Sequence, residues 1–112
     1  MHAAVAAHLL GNDRALVDAV CSDPETAPIP EREKALWRWL GRLNDAPASV
    51  GASDVEGLKA LGWSERELYD ASTVCAMFNF FNRWIEAAGV EPAPPGLYAA
   101  RLAQHGDMGY RM

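Results

Sequence analysis

Apolar residues recur at helical spacing along most of this chain, and the longest such pattern covers residues 65–88. One series with spacings of three and four marks a helix face: Leu68, Ala71, Cys75, Phe78, Asn82 and Ile85. A second series marks another face: Val74, Met77, Phe81, Trp84 and Ala88. Two apolar faces leave only a narrow polar edge. The pattern therefore predicts one long buried helix, covered by other helices of the chain and by another subunit.

Both ends of this helix carry local signals. Ser64 and Glu67 have the spacing of a capping box, in which each side chain accepts a hydrogen bond from the backbone N–H of the other residue. Gly89 suits the left-handed position that follows a helix, and Pro92 prevents the helix from continuing. These signals predict a helix from about Glu65 to Ala88.

Shorter helices are predicted on either side, separated by proline-rich loops at residues 22–30 and 91–96. The five expected helices cover residues 2–10, 14–20, 30 or 31 to about 44–47, 53–61 and 97–104. The second of them follows a cap at Asn12 or Asp13, and the fourth opens with a second capping box at Ser53 to Glu56. Strand-like alternation is missing from the sequence. We therefore expect an all-α bundle of about six helices, forming a single domain over residues 1–112.

Composition narrows the class of protein. Of 112 residues, 50% are apolar and 22% charged, which is typical of a globular domain. The net charge of −5 and the scattered basic residues argue against nucleic-acid binding. No apolar run is long enough to cross a bilayer, and the first residues lack the basic start of a signal peptide. Only two cysteines are present, so the sequence predicts a reduced, cytoplasmic protein. The four tryptophans predict a homo-oligomer, because those that the fold does not bury would lie at a subunit interface.

The candidate chemical residues are few. His2 and His8 are six residues apart and point to different sides of a helix, so we expect neither a metal site nor a bound cofactor. Cys75 lies on the long helix, where a free cysteine behaves as a small apolar residue. Cys21 is close to Asp23, whose negative charge disfavours a reactive thiolate. Both cysteines are interpreted as chemically inert.

Asn82 and Arg83 are polar residues on a helix that is predicted to be buried, so both need partners. Two interpretations stay open for Arg83. The favoured one is a structural ion pair with Glu31, Glu33 or Asp45. The other is a contact with an anion or a substrate.

Several segments together resemble a known family. In chain order they are Glu31-Arg32-Glu33, Leu43-Asn44-Asp45-Ala46-Pro47, Asp54-Val55-Glu56-Gly57-Leu58, the segment from Leu61 to Leu68, and Phe78-Asn79-Phe80-Phe81-Asn82-Arg83. In this order they resemble the AhpD-like, uncharacterised peroxidase-related enzymes of the carboxymuconolactone decarboxylase superfamily. The resemblance implies an all-α, oligomeric, cytoplasmic protein.

The same resemblance implies a catalytic motif, only part of which is present. Redox members of the family use a Glu followed by Cys-x-x-Cys-x-x-x-His, in which two cysteines one helical turn apart form a disulfide and the His acts as a base. His2 matches the motif histidine and is the one catalytic residue that the resemblance assigns. The cysteine pair would precede Met1, so the chain is expected to be a C-terminal portion of the family's domain, truncated at its N-terminus.

Three functions follow as hypotheses. The first is a peroxidase-related, antioxidant thiol oxidoreductase with a peroxide substrate and a thiol reductant, whose redox motif is missing from this chain. The second is a non-catalytic, self-associating helical module of the same superfamily. The third is an enzyme like carboxymuconolactone decarboxylase, in which His2 and Arg83 act on an acidic substrate. Whether the chain is an enzyme stays open.

Overall fold

Helices form nearly all of the regular structure. The computed structural model describes residues 2–94 and 96–105, and within these ranges it contains no strand. The helices are α1 (His2–Leu9), α2 (Arg14–Ser22), α3 (Glu31–Asp45), α4 (Ala52–Ala60), α5 (Glu65–Ala87) and α6 (Leu97–His105), with a 3₁₀ turn at Pro47–Ser49. The all-α class is confirmed. Residues 91–94 form an irregular connection, as predicted, and Pro95 lies outside the described residues.

The chain divides into two compact units, here called the first and the second unit. The first unit combines α1, α2 and α6, with α1 packed on both of the others. The side chains of Ala7, Val17 and Ala27 are buried there. The second unit spans residues 29–90 and contains α3, α4 and α5. The single domain over residues 1–112 stays a prediction.

The core of the second unit is small. Trp39 of α3, Leu58 of α4 and Leu68 of α5 are buried against one another. A ring of half-buried apolar residues packs around them: Ala35, Leu36, Leu40, Val50, Val55 and Trp63. The indole N–H of Trp39 is buried there and has no hydrogen-bond acceptor among the described residues. Each helix thus contributes one central side chain to the packing.

Polar contacts at both ends show that α3 and α5 run in the same direction. Near the start of both helices, the Trp63 indole N–H donates to the carbonyl of Arg32 at 2.9 Å, and the Arg32 guanidinium lies 4.2 Å from the centre of the Trp63 ring. Near the end of α3, Asn44 accepts a hydrogen bond from Asn79 of α5. The 3₁₀ turn and α4 connect the end of α3 to the start of α5.

The ends of α5 agree with the sequence prediction. Ser64 Oγ accepts from the Glu67 N–H at 3.2 Å, and the Glu67 carboxylate accepts from the Ser64 N–H at 2.8 Å. Gly89 has a φ of 65°, and its N–H donates to Glu86 while that of Val90 donates to Ile85. These two bonds form a Schellman motif. The capping box and the C-terminal glycine are therefore confirmed.

The predicted capping box at Ser53 to Glu56 is wrong. Helix α4 begins one residue before Ser53, and the Asp54 carboxylate accepts from the Gly51 N–H at 2.9 Å. Arg42 of α3 donates to the same carboxylate at 2.6 Å and also bonds the carbonyl of Ser49. These contacts hold Asp54 at the third helical position. The tertiary ion pair thus selects the start of α4.

Other helices of the chain do not bury the long helix over its whole length, so this part of the prediction is wrong, while cover by another subunit stays a prediction. Leu68 in its first turn is 4% exposed, but every residue from Phe80 to Val90 is exposed. One cause is the shortness of α3, which ends opposite Asn79 and leaves the last turns of α5 exposed. The tryptophans differ in the same way: Trp39 in the core is buried, whereas Trp84 in the last turns of α5 is 61% exposed.

Replacing Ser64 with Ala should lower the free energy of unfolding by about 1 kcal/mol, because the first turn of α5 loses a capping acceptor. Ser53→Ala provides a matched control. Ser53 makes no cap in the structure, and its replacement should change the stability by less than about 0.5 kcal/mol. Urea unfolding monitored by circular dichroism measures both. Equal losses for the two variants would contradict the observed start of α4.

The same capping box should make stability depend on pH. The backbone N–H of Ser64, followed by its hydroxyl, lowers the pKa of Glu67 below its ordinary value of 4.5. The resulting stabilisation is complete above that value and disappears as the pH falls through the lower pKa of the folded state. Glu67→Gln keeps an acceptor but cannot titrate. We expect it to reduce the loss of stability on acidification, as measured by urea unfolding at a series of acidic pH values.

Candidate functional site

A pocket of about 330 Å³ lies between the end of α3 and the middle of α5, within the second unit. One wall is formed by Leu43, Asn44 and Pro47. The other wall belongs to α5 and consists of Cys75, Ala76, Asn79 and Arg83. The pocket therefore combines an apolar wall with two amides, a thiol and a guanidinium.

The chemical groups on α5 share one side of the helix because their spacing is helical. Cys75, Asn79 and Arg83 follow one another at intervals of four residues, so their side chains lie one above the other. Because α3 lies against this side of α5, a polar stripe faces the neighbouring helix.

Asn79 connects the groups of this stripe. Its side-chain N–H groups donate to Asn44 Oδ1 at 2.7 Å and to the Cys75 carbonyl at 3.1 Å. Its Oδ1 accepts from Arg83 Nη1 at 2.6 Å, and its backbone carbonyl accepts from the same nitrogen at 3.1 Å. Asn79 thus uses both ends of its amide and holds the guanidinium over the pocket.

The favoured sequence interpretation of Arg83, a structural ion pair, is wrong. In the described part of the chain Arg83 contacts no carboxylate. Glu31 pairs instead with Arg38 of its own helix, and Asp45 accepts from the side chain of Asn44 at 2.7 Å. The physical reason is the position of Asn79, which lies between Arg83 and the end of α3. The second interpretation, an anion contact, stays a prediction.

Both cysteines are free thiols. Cys75 is half-buried at the pocket, and its Sγ lies 3.7 Å from the Asn79 amide nitrogen. Cys21 is exposed on α2 in the first unit. That Cys75 is inert stays a prediction, but it is not a fully buried core residue.

His2, the catalytic residue that the resemblance assigned, is the exposed first residue of α1 in the first unit. None of the residues that line the pocket is a histidine. No cluster of three or more His, Cys, Asp or Glu side chains suited to a metal ion occurs in residues 2–94 and 96–105. The role of His2 stays a prediction.

A second feature lies on the side of α5 that points away from α3. Seven large apolar side chains there are 39–62% exposed: Val74, Met77, Phe78, Phe80, Phe81, Trp84 and Ile85. We call this surface the outer face of α5. Residues 71–82 contain no charged side chain. Helix α5 thus directs its polar stripe towards the protein and many of its large apolar residues towards solvent.

The sequence interpretation missed the pocket although a signal was present. Taken one at a time, Cys75 and Arg83 do not indicate a pocket, and Asn79 is the residue that links them. The four-residue spacing of three polar or sulfur-containing groups within an apolar helix indicates a common face. Asn44 carries no comparable signal, because it lies 35 residues before its partner Asn79.

Comparison with known proteins gives no further guide to this geometry. The chain matches no protein-family model, no curated protein and no solved structure. In the described residues, no helix is long and apolar enough to cross a membrane. The pocket and the outer face of α5 are the two features of the second unit that bear on function.

Proposed function

We propose that this chain is a self-associating helical module that pairs with a second copy of itself through the outer face of α5. The observation that carries the proposal is the exposure of seven large apolar side chains along one side of this helix. In a monomer these side chains would remain in contact with water, an arrangement that typically marks an interaction site.

The size of the outer face supports a protein partner. An aromatic side chain buries about 150–250 Å² when it is fully covered, so the four exposed aromatic residues present about 400 Å². With Val74, Met77 and Ile85 added, the surface approaches the roughly 800 Å² that one partner contributes to a standard interface. Burial of this surface would contribute favourable hydrophobic free energy to the association of two chains.

The chemistry of the outer face favours a second copy as the occupant. Its central region carries no charge, so two identical surfaces meet without repulsion between like charges. A two-fold axis places the same patch on both partners, and a long helix with one continuous apolar side matches its own copy in length and composition. Such pairing would also bury Trp84, which is 61% exposed in the single chain.

Sedimentation velocity tests this proposal directly. The mass of one chain is 12.2 kDa, and we expect a species of at least twice that mass that dissociates on dilution. A monomer at every concentration would overturn the proposal. Binding to lipid vesicles by such a monomer would instead assign the outer face to a membrane surface.

Placement in the AhpD-like superfamily stays part of the proposal, supported by the residue pattern that ends in Phe78-Asn79-Phe80-Phe81-Asn82-Arg83. A peroxidase activity of that family type would require a Cys-x-x-Cys pair. Cys21 and Cys75 lie in different units and do not form such a pair. The non-catalytic module is therefore the function that the geometry supports best.

A further inference from the structure

Several N–H donors of the Arg83 guanidinium have no acceptor among the described residues. Nη1 bonds the two oxygens of Asn79, while the N–H groups on Nε and Nη2 have no acceptor in the described part of the chain. No carboxylate neutralises its charge there. An arginine held in this way presents a planar set of donors to the pocket that it lines.

The orientation of this guanidinium is set by a chain of side-chain contacts. Asn79 Oδ1 faces Arg83, because the Asn79 Nδ2 is occupied by Asn44 and by the Cys75 carbonyl. Asn44 in turn donates to Asp45 at 2.7 Å, and Asp45 does not line the pocket. The donors of Arg83 are thus positioned before any ligand arrives, which lowers the entropic cost of binding.

The remaining surface of the pocket is mainly apolar. Leu43, Pro47 and Ala76 provide a wall for hydrocarbon groups, and the volume of about 330 Å³ is at the lower end of the range for small-molecule sites. A single guanidinium matches the charge and the shape of one carboxylate. The lining contains neither a second cation nor a histidine that would favour a doubly charged phosphate.

From these observations we infer that the pocket binds a small monocarboxylate with a short hydrocarbon chain. The carboxylate accepts hydrogen bonds from Arg83, and the hydrocarbon chain lies against Leu43, Pro47 and Ala76. Cys75 lines the same pocket and therefore reports on its occupancy. This inference concerns ligand binding and does not depend on self-association.

Affinity labelling of Cys75 tests the inference. Iodoacetate is itself a small carboxylate, whereas iodoacetamide is its neutral counterpart. In both reactions the Cys75 thiolate sulfur forms a bond to carbon, iodide leaves with the electron pair, and the thiol proton passes to solvent. The experiment uses the Cys21→Ser protein and measures the ratio of the two alkylation rates by mass spectrometry.

The expected result is that Arg83→Gln lowers the iodoacetate-to-iodoacetamide ratio about tenfold, as for the loss of a charged hydrogen bond. Arg66→Gln is the matched control, because Arg66 lies on the same helix, is 82% exposed and pairs with Asp70 away from the pocket. It removes the same charge and should leave the ratio unchanged. An equal fall of the ratio in both variants would show that the loss of any positive charge on α5 has this effect, and it would overturn the inference.

Direct binding provides the second measurement. In the unmodified protein, butyrate should slow the alkylation of Cys75 by iodoacetamide and shift the side-chain amide resonances of Asn44 and Asn79, while butyramide should do neither. Arg83→Gln should abolish both effects of butyrate, and retained helical circular dichroism would show that this variant is folded. No response to butyrate, or equal responses to butyrate and butyramide, would overturn the inference.

Discussion

Phe81→Glu combined with Trp84→Glu should convert the protein into a monomer at concentrations at which the unmodified chain is a dimer or a larger oligomer. The two side chains are 44% and 61% exposed in the single chain and lie on the outer face of α5. In a dimer each glutamate would place a charge in an apolar contact and remove an aromatic anchor, so we expect the dissociation constant to rise by about a hundredfold or more.

Sedimentation velocity and size-exclusion chromatography with light scattering measure this change. Leu10→Glu is a suitable control, because Leu10 is 54% exposed in the turn after α1 and lies in the first unit. It introduces the same charge in place of an apolar residue and should leave the oligomer intact. If Leu10→Glu and not the double variant dissociated the protein, the interface would lie elsewhere.

Leu68→Ala should lower the free energy of unfolding by about 3 kcal/mol. Leu68 is 4% exposed and is one of three buried residues that form the centre of the second unit. Its truncation leaves a cavity between α3, α4 and α5, where Trp39 and Leu58 lose their partner. Because a domain of this size is stabilised by only about 5–15 kcal/mol, the second unit should lose a large part of its stability.

The measurement is urea unfolding followed by circular dichroism in the Phe81→Glu/Trp84→Glu protein, where dissociation does not contribute to the stability. Leu61→Ala is the matched control, since it makes the same chemical change at a side chain that is 44% exposed. We expect it to cost less than about 0.5 kcal/mol. Comparable losses in the two variants would show that the core lies elsewhere.

The sequence predicted the features that depend on near neighbours. The start of α5 followed from Ser64 and Glu67, which are three residues apart, and its end followed from Gly89. The cap of α2 at Asp13 was one of two alternatives and is confirmed by its bond to the Leu16 N–H at 2.9 Å. Each of these signals involves a single turn of helix, within which backbone geometry alone determines the contact.

Features that depend on distant segments were not predictable in the same way. The periodicity of α5 shows which side chains share a face, but the side on which α3 packs decides which of those faces is covered. The start of α4 moved because Arg42 holds Asp54 across the turn at Pro47–Ser49. The bond between Asn44 and Asn79 joins residues 35 positions apart. No local pattern contains this information.

Helix α5 is held firmly at one end only. Its first turn is capped and carries the buried Leu68, whereas its last turns, beyond Asn79, are exposed on every side. Little more than the helix itself protects the backbone hydrogen bonds of those last turns, so we expect them to open with a lower free energy than the bonds near the core. In the proposed dimer these turns would be covered, so their order would depend on the protein concentration and assembly would complete the folding of α5.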